Sequence, residues 1–470
     1  MNTADLCFMP ATELAAAIRA KRVSPVEAVE AVLDRIAEVN PAINAVVTVT
    51  EDLARAAARE VEARLARSEP VGPFAGVPIT IKDLIMVKGV RTTWGSRIFE
   101  RFVAPEDAPL VERLRAAGAV IVGMTNSPEF GYRATTDNPL FGATRNPWSL
   151  AHTPGGSTGG GGAAVAAGVG PLTIGTDAGG SIRIPASCCG IVGLKPTLGR
   201  VPMAPVYGGL ETLSHAGPMT RTVRDAALAM SVIAGPDPRD LMSLPDDGTN
   251  WTAAADGGLA NVRAAWTPDW GYAPVDPEVR RLTESAARRF TDAGARLEEA
   301  SPRFTDPSEA FGALFPASVA ARLAGYLAEW RPKMDPGLVR YIEMGQRPSA
   351  VDFVQAANVR RTLNDAFREF FKTYDLLLTP TLAAPPLPLG QHVYEEIGGK
   401  AVGQLGWLAF TFPINMLGYP AITVPAGWTA AGLPVGLQIV GPRFADAAVL
   451  RAAAAFEALQ PWTDRRPPLS

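Results

Sequence analysis

Histidine is scarce in this chain: His152, His215 and His392 are the only three in 470 residues. None lies in an HExxH run or a histidine–acid pattern, so chemistry that recruits imidazole has little to draw on. Cysteine is as sparse, with Cys7, Cys188 and Cys189. No CxxC pair and no acidic cluster at ligand spacing accompanies them, which argues against a metal centre, and no metal or other cofactor is expected. Cys188 and Cys189 enter a small apolar Ser187-Cys-Cys-Gly190 turn, where buried packing is expected and a disulfide is not. Charge of one sign is not in excess. Lys and Arg number 44 against 47 Asp and Glu, a net of −3, which gives no reason to expect nucleic acid or an anionic membrane as partner. No stretch reaches the roughly 18 uninterrupted apolar residues of a membrane span. Met1-Asn-Thr-Ala-Asp-Leu6 lacks a basic segment leading into an apolar one, so a cytoplasmic enzyme is expected. With 47% hydrophobic and 19% charged residues, a substantial core is expected.

Glycine and serine are where the chain is informative. Pro154-Gly-Gly-Ser157-Thr158-Gly-Gly-Gly-Gly162 and Gly175-Thr-Asp177-Ala-Gly-Gly-Ser181-Ile-Arg183-Ile-Pro185 each set a serine in backbone that glycine lets bend. Upstream, Val77-Pro-Ile-Thr-Ile81 alternates like a strand and runs into Lys82-Asp83. A serine nucleophile needs donors for an oxyanion. Ala178, Gly179, Gly180 and Ser181 offer four successive N–H groups that can curl into a nest, so Ser181 is the candidate nucleophile. Its hydroxyl attacks poorly unless a base takes the proton. A lysine serves only when burial or a cationic neighbour brings its pKa from about 10.4 toward about 7–8. A strand would carry Lys82 into such an interior, and Ser157, whose hydroxyl both donates and accepts, can relay the proton. Asp177 and Arg183 flank the nucleophile and read as an ion pair or hydrogen-bonded support of the loop.

Other readings of the glycines fail on context. Gly159-x-Gly161-x-x-Ala164 followed by Asp177 superficially fits a dinucleotide fingerprint, but Asn146-Pro-Trp-Ser-Leu-Ala-His-Thr-Pro154 before it is no strand. A phosphate-binding loop needs its lysine directly after the glycines, and Ala163-Ala-Val-Ala-Ala-Gly168 follows instead. His152 lies nearest the glycine loop and reads as a loop or core hydrogen-bonder.

In order and in register, Gly155 to Gly160, Asp177 to Pro185 and Cys189-Gly-Ile-Val-Gly193-Leu-Lys195-Pro-Thr197 resemble the core of the amidase signature family, serine hydrolases of C–N bonds with a Ser–cis-Ser–Lys triad. The resemblance extends to Gly76–Asp83, Thr125–Gly131, Asp137–Pro147 and Gly432–Gly441, nearly the whole chain. It implies Lys82 as base, Ser157 as the cis-serine bridge, Ser181 as the acylated nucleophile, and an oxyanion hole from the N–H groups of Ala178, Gly179, Gly180 and Ser181. The chain departs from the family pattern at several places. Thr158 replaces the second serine of a pair but keeps a hydroxyl, and with it support of the triad. Gly161-Gly162 stand where a serine or acid and an alanine are usual. Met86 and Met124 replace a frequent aspartate and lysine, which suggests a less polar surface.

Organisation along the chain reads as α/β. Residues 11 to 66 look helical, with Ser24-Pro-Val-Glu27 as a helix start. From Val77 onward, β-branched runs (Val77–Ile81, Ala119–Val122, Leu172–Ile174) alternate with helical stretches (Ala108–Ala117, Ala163–Ala167). Residues 235 to 260 are rich in Pro, Asp and Gly and mark a loop or subdomain border. Pro277–Ala293, Ala317–Glu329 and Ala350–Tyr374 look helical, and Leu376–Leu378 and Ala421–Val424 return as strands. The resemblance implies one compact domain with a mixed central β-sheet flanked by helices on both faces. Within it, an N-terminal helical segment (1–70) packs on a signature core (71–235), a variable helical substrate wall follows (236–420), and 421–470 returns to the sheet. Phe311, Phe315, Tyr326, Trp330, Tyr341, Trp407 and Phe410 are candidates for a hydrophobic acyl or amine pocket.

The expected function is a stand-alone amidase. It would cleave a carbonyl C–N bond of an amide, aryl amide or urethane-type carbamate through an acyl-serine. A small-molecule amide or carbamate is its expected partner, and homo-oligomerisation is left open. One alternative is the A-type glutaminase subunit of the amidotransferase that feeds ammonia to tRNA-bound glutamate, whose glutamine-binding pattern is not recognised in residues 300 to 400. The other is a non-catalytic assembly component, against which the intact triad speaks.

Overall fold

The β-branched runs pair, with two strands poor in such residues, into one eleven-stranded sheet in the computed structural model, which describes residues 3–205 and 212–469. In chain order its strands are β1 (Val46–Val49), β2 (Pro78–Lys82), β3 (Val120–Thr125), β4 (Leu172–Asp177), β5 (Val192–Lys195) and β6 (His215–Thr220), then β7 (Arg263–Trp266), β8 (Arg296–Glu299), β9 (Leu376–Pro380), β10 (Ala421–Trp428) and β11 (Pro434–Val440). Across the sheet they lie in the order β1-β3-β2-β4-β6-β5-β10-β11-β9-β7-β8. β2 runs parallel to β3 and β4, and β9 parallel to β7, whereas β4 with β6, β5 with β10 and β10 with β11 are antiparallel. The sheet is mixed, and strands from 1–70, 71–235, 236–420 and 421–470 all lie in it. Helices pack against it in two main hydrophobic clusters, one holding Ile18, Val29, Val223 and Phe456, the other Phe311, Leu338, Phe367 and Phe412.

The parallel pairing of β2 with β4 positions the site. Thr80 pairs with Thr173 and Ile81 with Ile174, so both strands bring their carboxyl ends, Lys82 and Thr176-Asp177, to one edge. Loops leave a parallel sheet at such ends and leave a crevice between them.

Several expectations need correction. The N-terminal stretch is not all helical. Helix Pro25–Ile43 starts at a capping box of Ser24 and Glu27 and ends at Asn44 in the left-handed region (φ 50°), which turns the chain into β1, antiparallel to β3. The second half of the first glycine stretch is helix, not loop: Gly159–Ala166. Glycine is a poor helix former, but a Cβ at Gly160 would lie 2.4 Å from Asn126 N and 2.7 Å from Ala45 O. Cys188-Cys189 form no isolated turn; they close helix Arg183–Cys189, which stops at Gly190 (φ 66°). Segment Ser308–Lys333 is by length and composition apolar enough to cross a membrane, the one such segment among the described residues, and half of its most apolar 18-residue window is buried within the protein.

Candidate active site

Lys82, the last residue of β2, is fully buried. Its Nζ donates to Ser157 Oγ at 2.7 Å and to Thr176 Oγ1 at 2.9 Å. Burial pulls its pKa from 10.5 to about 7, opposed only by the charge of Asp177. A neutral amine is therefore available near neutral pH. Lys195 shows why burial alone is not enough: it is as buried, but its amine is held by the carbonyls of Tyr419 and Pro196, oxygens that carry no proton to relay.

The two glycine loops are tied together beside this amine. The Gly156–Ser157 peptide is cis. Thr158 N–H donates to the Ser181 carbonyl at 3.1 Å, and Thr158 Oγ1 to the Thr176 carbonyl at 3.3 Å. Asp177 shapes the second loop, its Oδ1 accepting the Gly180 N–H at 2.7 Å and its Oδ2 the Ile182 N–H at 3.2 Å. Arg183 grips the same carboxylate through Nε at 3.0 Å and Nη2 at 3.1 Å, and reaches on to Gln438 Oε1 (2.6 Å) and Asn415 Oδ1 (2.5 Å). Burial alone would raise the Asp177 pKa; the Arg183 guanidinium, with Lys195 and Asn415 behind it, holds the carboxyl well below the usual range. Arg183 and Asp177 thus form a fully buried ion pair within this loop.

One expectation about the nest is corrected here. The Gly180 N–H is committed to Asp177, so the four expected donors reduce to Ala178, Gly179 and Ser181, whose N–H groups have no hydrogen-bond partner among the described residues. Gly180 itself must be glycine, since its φ is +128° and a Cβ would lie 2.5 Å from Thr411 Oγ1.

Ser181 opens onto a cavity of about 770 Å³, within the usual range for small-molecule sites. Ile184, Phe311, Phe315, Tyr341, Trp407 and Leu408 supply its apolar wall. Phe311 and Phe315 stack at 5.4 Å, and Tyr341 meets Phe315 edge-on at 5.8 Å. Three of the expected pocket aromatics do not line this cavity. Phe410 is core, stacked on Trp270 at 5.6 Å; Tyr326 packs against Phe99 at 6.0 Å; Trp330 lies under Lys333 at 4.9 Å. His152 is a loop hydrogen-bonder, its Nδ1 2.8 Å from Ser149 Oγ, and the histidine on the cavity wall is His392, 2.8 Å from Thr135 Oγ1.

Thr176, Thr411, Asn415 and Gln438 were not singled out from sequence. Thr176 is the second acceptor of the Lys82 amine, and Thr411 Oγ1 donates to the Gly179 carbonyl at 2.8 Å. Asn415 and Gln438 lie more than 230 residues from Asp177 and Arg183 in sequence, and no local pattern links them.

The amidase family model matches residues 27–450. The chain belongs to the amidase family. This amidase is 42% identical to an acylamidase of Rhodococcus erythropolis, over 99% of this chain and 98% of that protein. It is 38% identical to the A-type subunit of the glutamyl-tRNA(Gln) amidotransferase of Geobacter sp. (strain M21), over 97% and 98%. A solved bacterial aryl acylamidase of the amidase signature family matches it with a TM-score of 0.91 and 35% identity, over 97% of each chain. The amidase thus sets a buried lysine amine against one serine hydroxyl and places a second serine on the wall of an aromatic cavity.

Proposed function

We propose that this amidase hydrolyses the C–N bond of hydrophobic acyl or aryl amides through an acyl intermediate on Ser181. The observation that carries the reading is the buried Lys82 amine, 2.7 Å from Ser157 Oγ, with its pKa brought to about 7. Lys82 takes a proton from Ser157 as Ser157 takes one from Ser181, and Ser181 Oγ attacks the carbonyl carbon. The N–H groups of Ala178, Gly179 and Ser181 hold the oxyanion; losing one such donor typically costs about 100- to 1,000-fold in rate. Collapse of the tetrahedral intermediate breaks the C–N bond, and the proton returns through Ser157 to the departing amine. Water then attacks the acyl-serine with the same relay working in reverse.

The wall of Phe311, Phe315, Tyr341 and Trp407 supports a hydrophobic acyl or amine group, as does similarity to an acylamidase and an aryl acylamidase. Urethane-type carbamates present the same carbonyl geometry and belong to the same proposal. Three free, buried cysteines support a reducing, cytoplasmic setting. A second reading, a glutamine-hydrolysing component of a larger enzyme, draws on the similarity to the tRNA-dependent amidotransferase; the aromatic wall favours the first. The test is amine and ammonia release from benzamide, acyl-anilides, glutamine and aryl or alkyl carbamates, with Ser181→Ala as the blank. Serine-dependent release from anilides is expected; release from glutamine alone, or from nothing, overturns the reading.

A further inference from the structure

The cavity is bounded on one side by helix Pro336–Gly345 and Arg347 just beyond it. That helix is fixed relative to the serines. Its cap, Asp335, accepts the Gly337 N–H at 2.7 Å and the Tyr132 hydroxyl at 2.9 Å, pairs with Arg133 at 3.0 Å, and donates its own N–H to Glu129 Oε2 at 2.6 Å. Between Glu129 and Tyr132 lies Gly131, where a Cβ would sit 3.3 Å from Ser157 Oγ. Whatever the helix presents to the cavity is therefore held at a set place from the chemistry.

It presents two cations that, among the described residues, have no counter-charge. The described carboxylates on the cavity wall are taken: Asp137 and Asp335 by Arg133, and Glu343 by Arg331 at 2.7 Å. Arg340 and Arg347 also line the cavity, both are exposed, and neither has a carboxylate within 4.0 Å or a side-chain hydrogen bond among the described residues. Arg340 lies within the helix and Arg347 two residues past its end, and both reach the same cavity. Tyr341 between them faces Phe315. The wall thus passes from aromatic to cationic.

We infer that Arg340 and Arg347 form an anion subsite, and that the preferred substrates are amides whose far end carries a carboxylate, such as the mono-anilides of dicarboxylic acids. A guanidinium fork matches a carboxylate in shape and charge, and at the rim its partner keeps its distance from Ser181. The inference rests on the amide-hydrolysis reading above.

The test compares kcat/KM for neutral and carboxylate-ended pairs on each side of the amide. Butyranilide and hexananilide are set against the mono-anilides of succinic and adipic acid, and acetanilide against 4-acetamidobenzoate. Each pair is measured within one protein, so any misfolded fraction cancels in the ratio. In the wild type the carboxylate member of at least one pair is expected to be favoured by about three- to fivefold, the scale of an ion pair at an exposed site. That ratio should fall toward one in Arg340→Gln/Arg347→Gln and when salt rises from about 20 mM to about 500 mM. In Arg340→Glu/Arg347→Glu it should invert. A wild-type ratio at or below one in every pair, or a ratio the variants do not move, overturns the subsite while serine-dependent anilide hydrolysis leaves the amidase reading standing. Failure of the wild type on every anilide removes both.

Discussion

Lys82→Met exchanges a buried amine for an uncharged side chain of similar length at the end of β2. Folding carries the Lys82 pKa from 10.5 to about 7, and at about 1.4 kcal/mol per tenfold the gap corresponds to about 5 kcal/mol. The unfolded chain binds this proton below 10.5 and the folded chain only below about 7, so the unfolded state holds more protons between them. Wild-type stability should therefore rise with pH across that window, and the full cost of the buried amine is present below about 7. Methionine escapes that cost but loses the bonds to Ser157 and Thr176, worth about 1 kcal/mol each. The variant is expected to be more stable than wild type by about 3 kcal/mol near pH 6, with the advantage shrinking steadily as pH rises toward about 9.5. Urea unfolding of both proteins across that range measures it, and because only position 82 differs, the titration of other groups cancels. Hydrolysis should fall by about 100- to 10,000-fold at every pH, the range of a lost general base. A pH-independent stability difference, or a variant destabilised most at acidic pH, would refute the reasoning.

Thr176→Val removes the second acceptor of the Lys82 amine, a contact that favours the charged form, so the rising limb of kcat/KM with pH should move below its position near 7. Burial also brings Asp83 to about 7, but its carboxylate bonds Thr93 and not Thr176, so a moving limb belongs to Lys82. Asp177→Asn leaves the fully buried Arg183 without its counter-charge and is expected to destabilise the protein by about 3–5 kcal/mol in urea unfolding. Phe311→Ala opens the wall beside Gly179, and should raise KM for anilides by about tenfold, as expected for burial of an aromatic face, with a smaller effect on acetamide.

Where a short stretch reports its own surroundings, the sequence was readable. The alternation Val77–Ile81 meant a strand, and a strand meant burial for the lysine ending it, which is how Lys82 lies in β2. Glycines beside Ser157 and Ser181 marked backbone that must bend: Ser157 lies just before helix Gly159–Ala166, and Ser181 lies in the loop that leaves β4. What depends on the path of the backbone within a loop was hidden: only the folded loop shows that Asp177 takes the Gly180 N–H. Contacts made across the chain were hidden too, as with Asn415 and Gln438 on Arg183. Strands such as Arg263–Trp266 and Arg296–Glu299 carry alanine and charge in place of β-branched residues, and form because parallel pairing within the sheet overrides weak local preference. Phe311/Phe315, Tyr326/Trp330 and Trp407/Phe410 each stand three or four residues apart, a spacing that does not tell Phe315 on the cavity wall from Phe410 in the core.

The proposed chemistry stands or falls on Ser181 carrying the acyl group. The decisive experiment traps that state with an aryl carbamate whose carbamoyl-serine deacylates slowly, followed by acid quench, intact mass and peptide mapping. One carbamoyl mass is expected on the peptide holding Ser181, in step with loss of activity, and none in Ser181→Ala. A label on another residue in step with inactivation, or amide turnover that persists in folded Ser181→Ala, would contradict it.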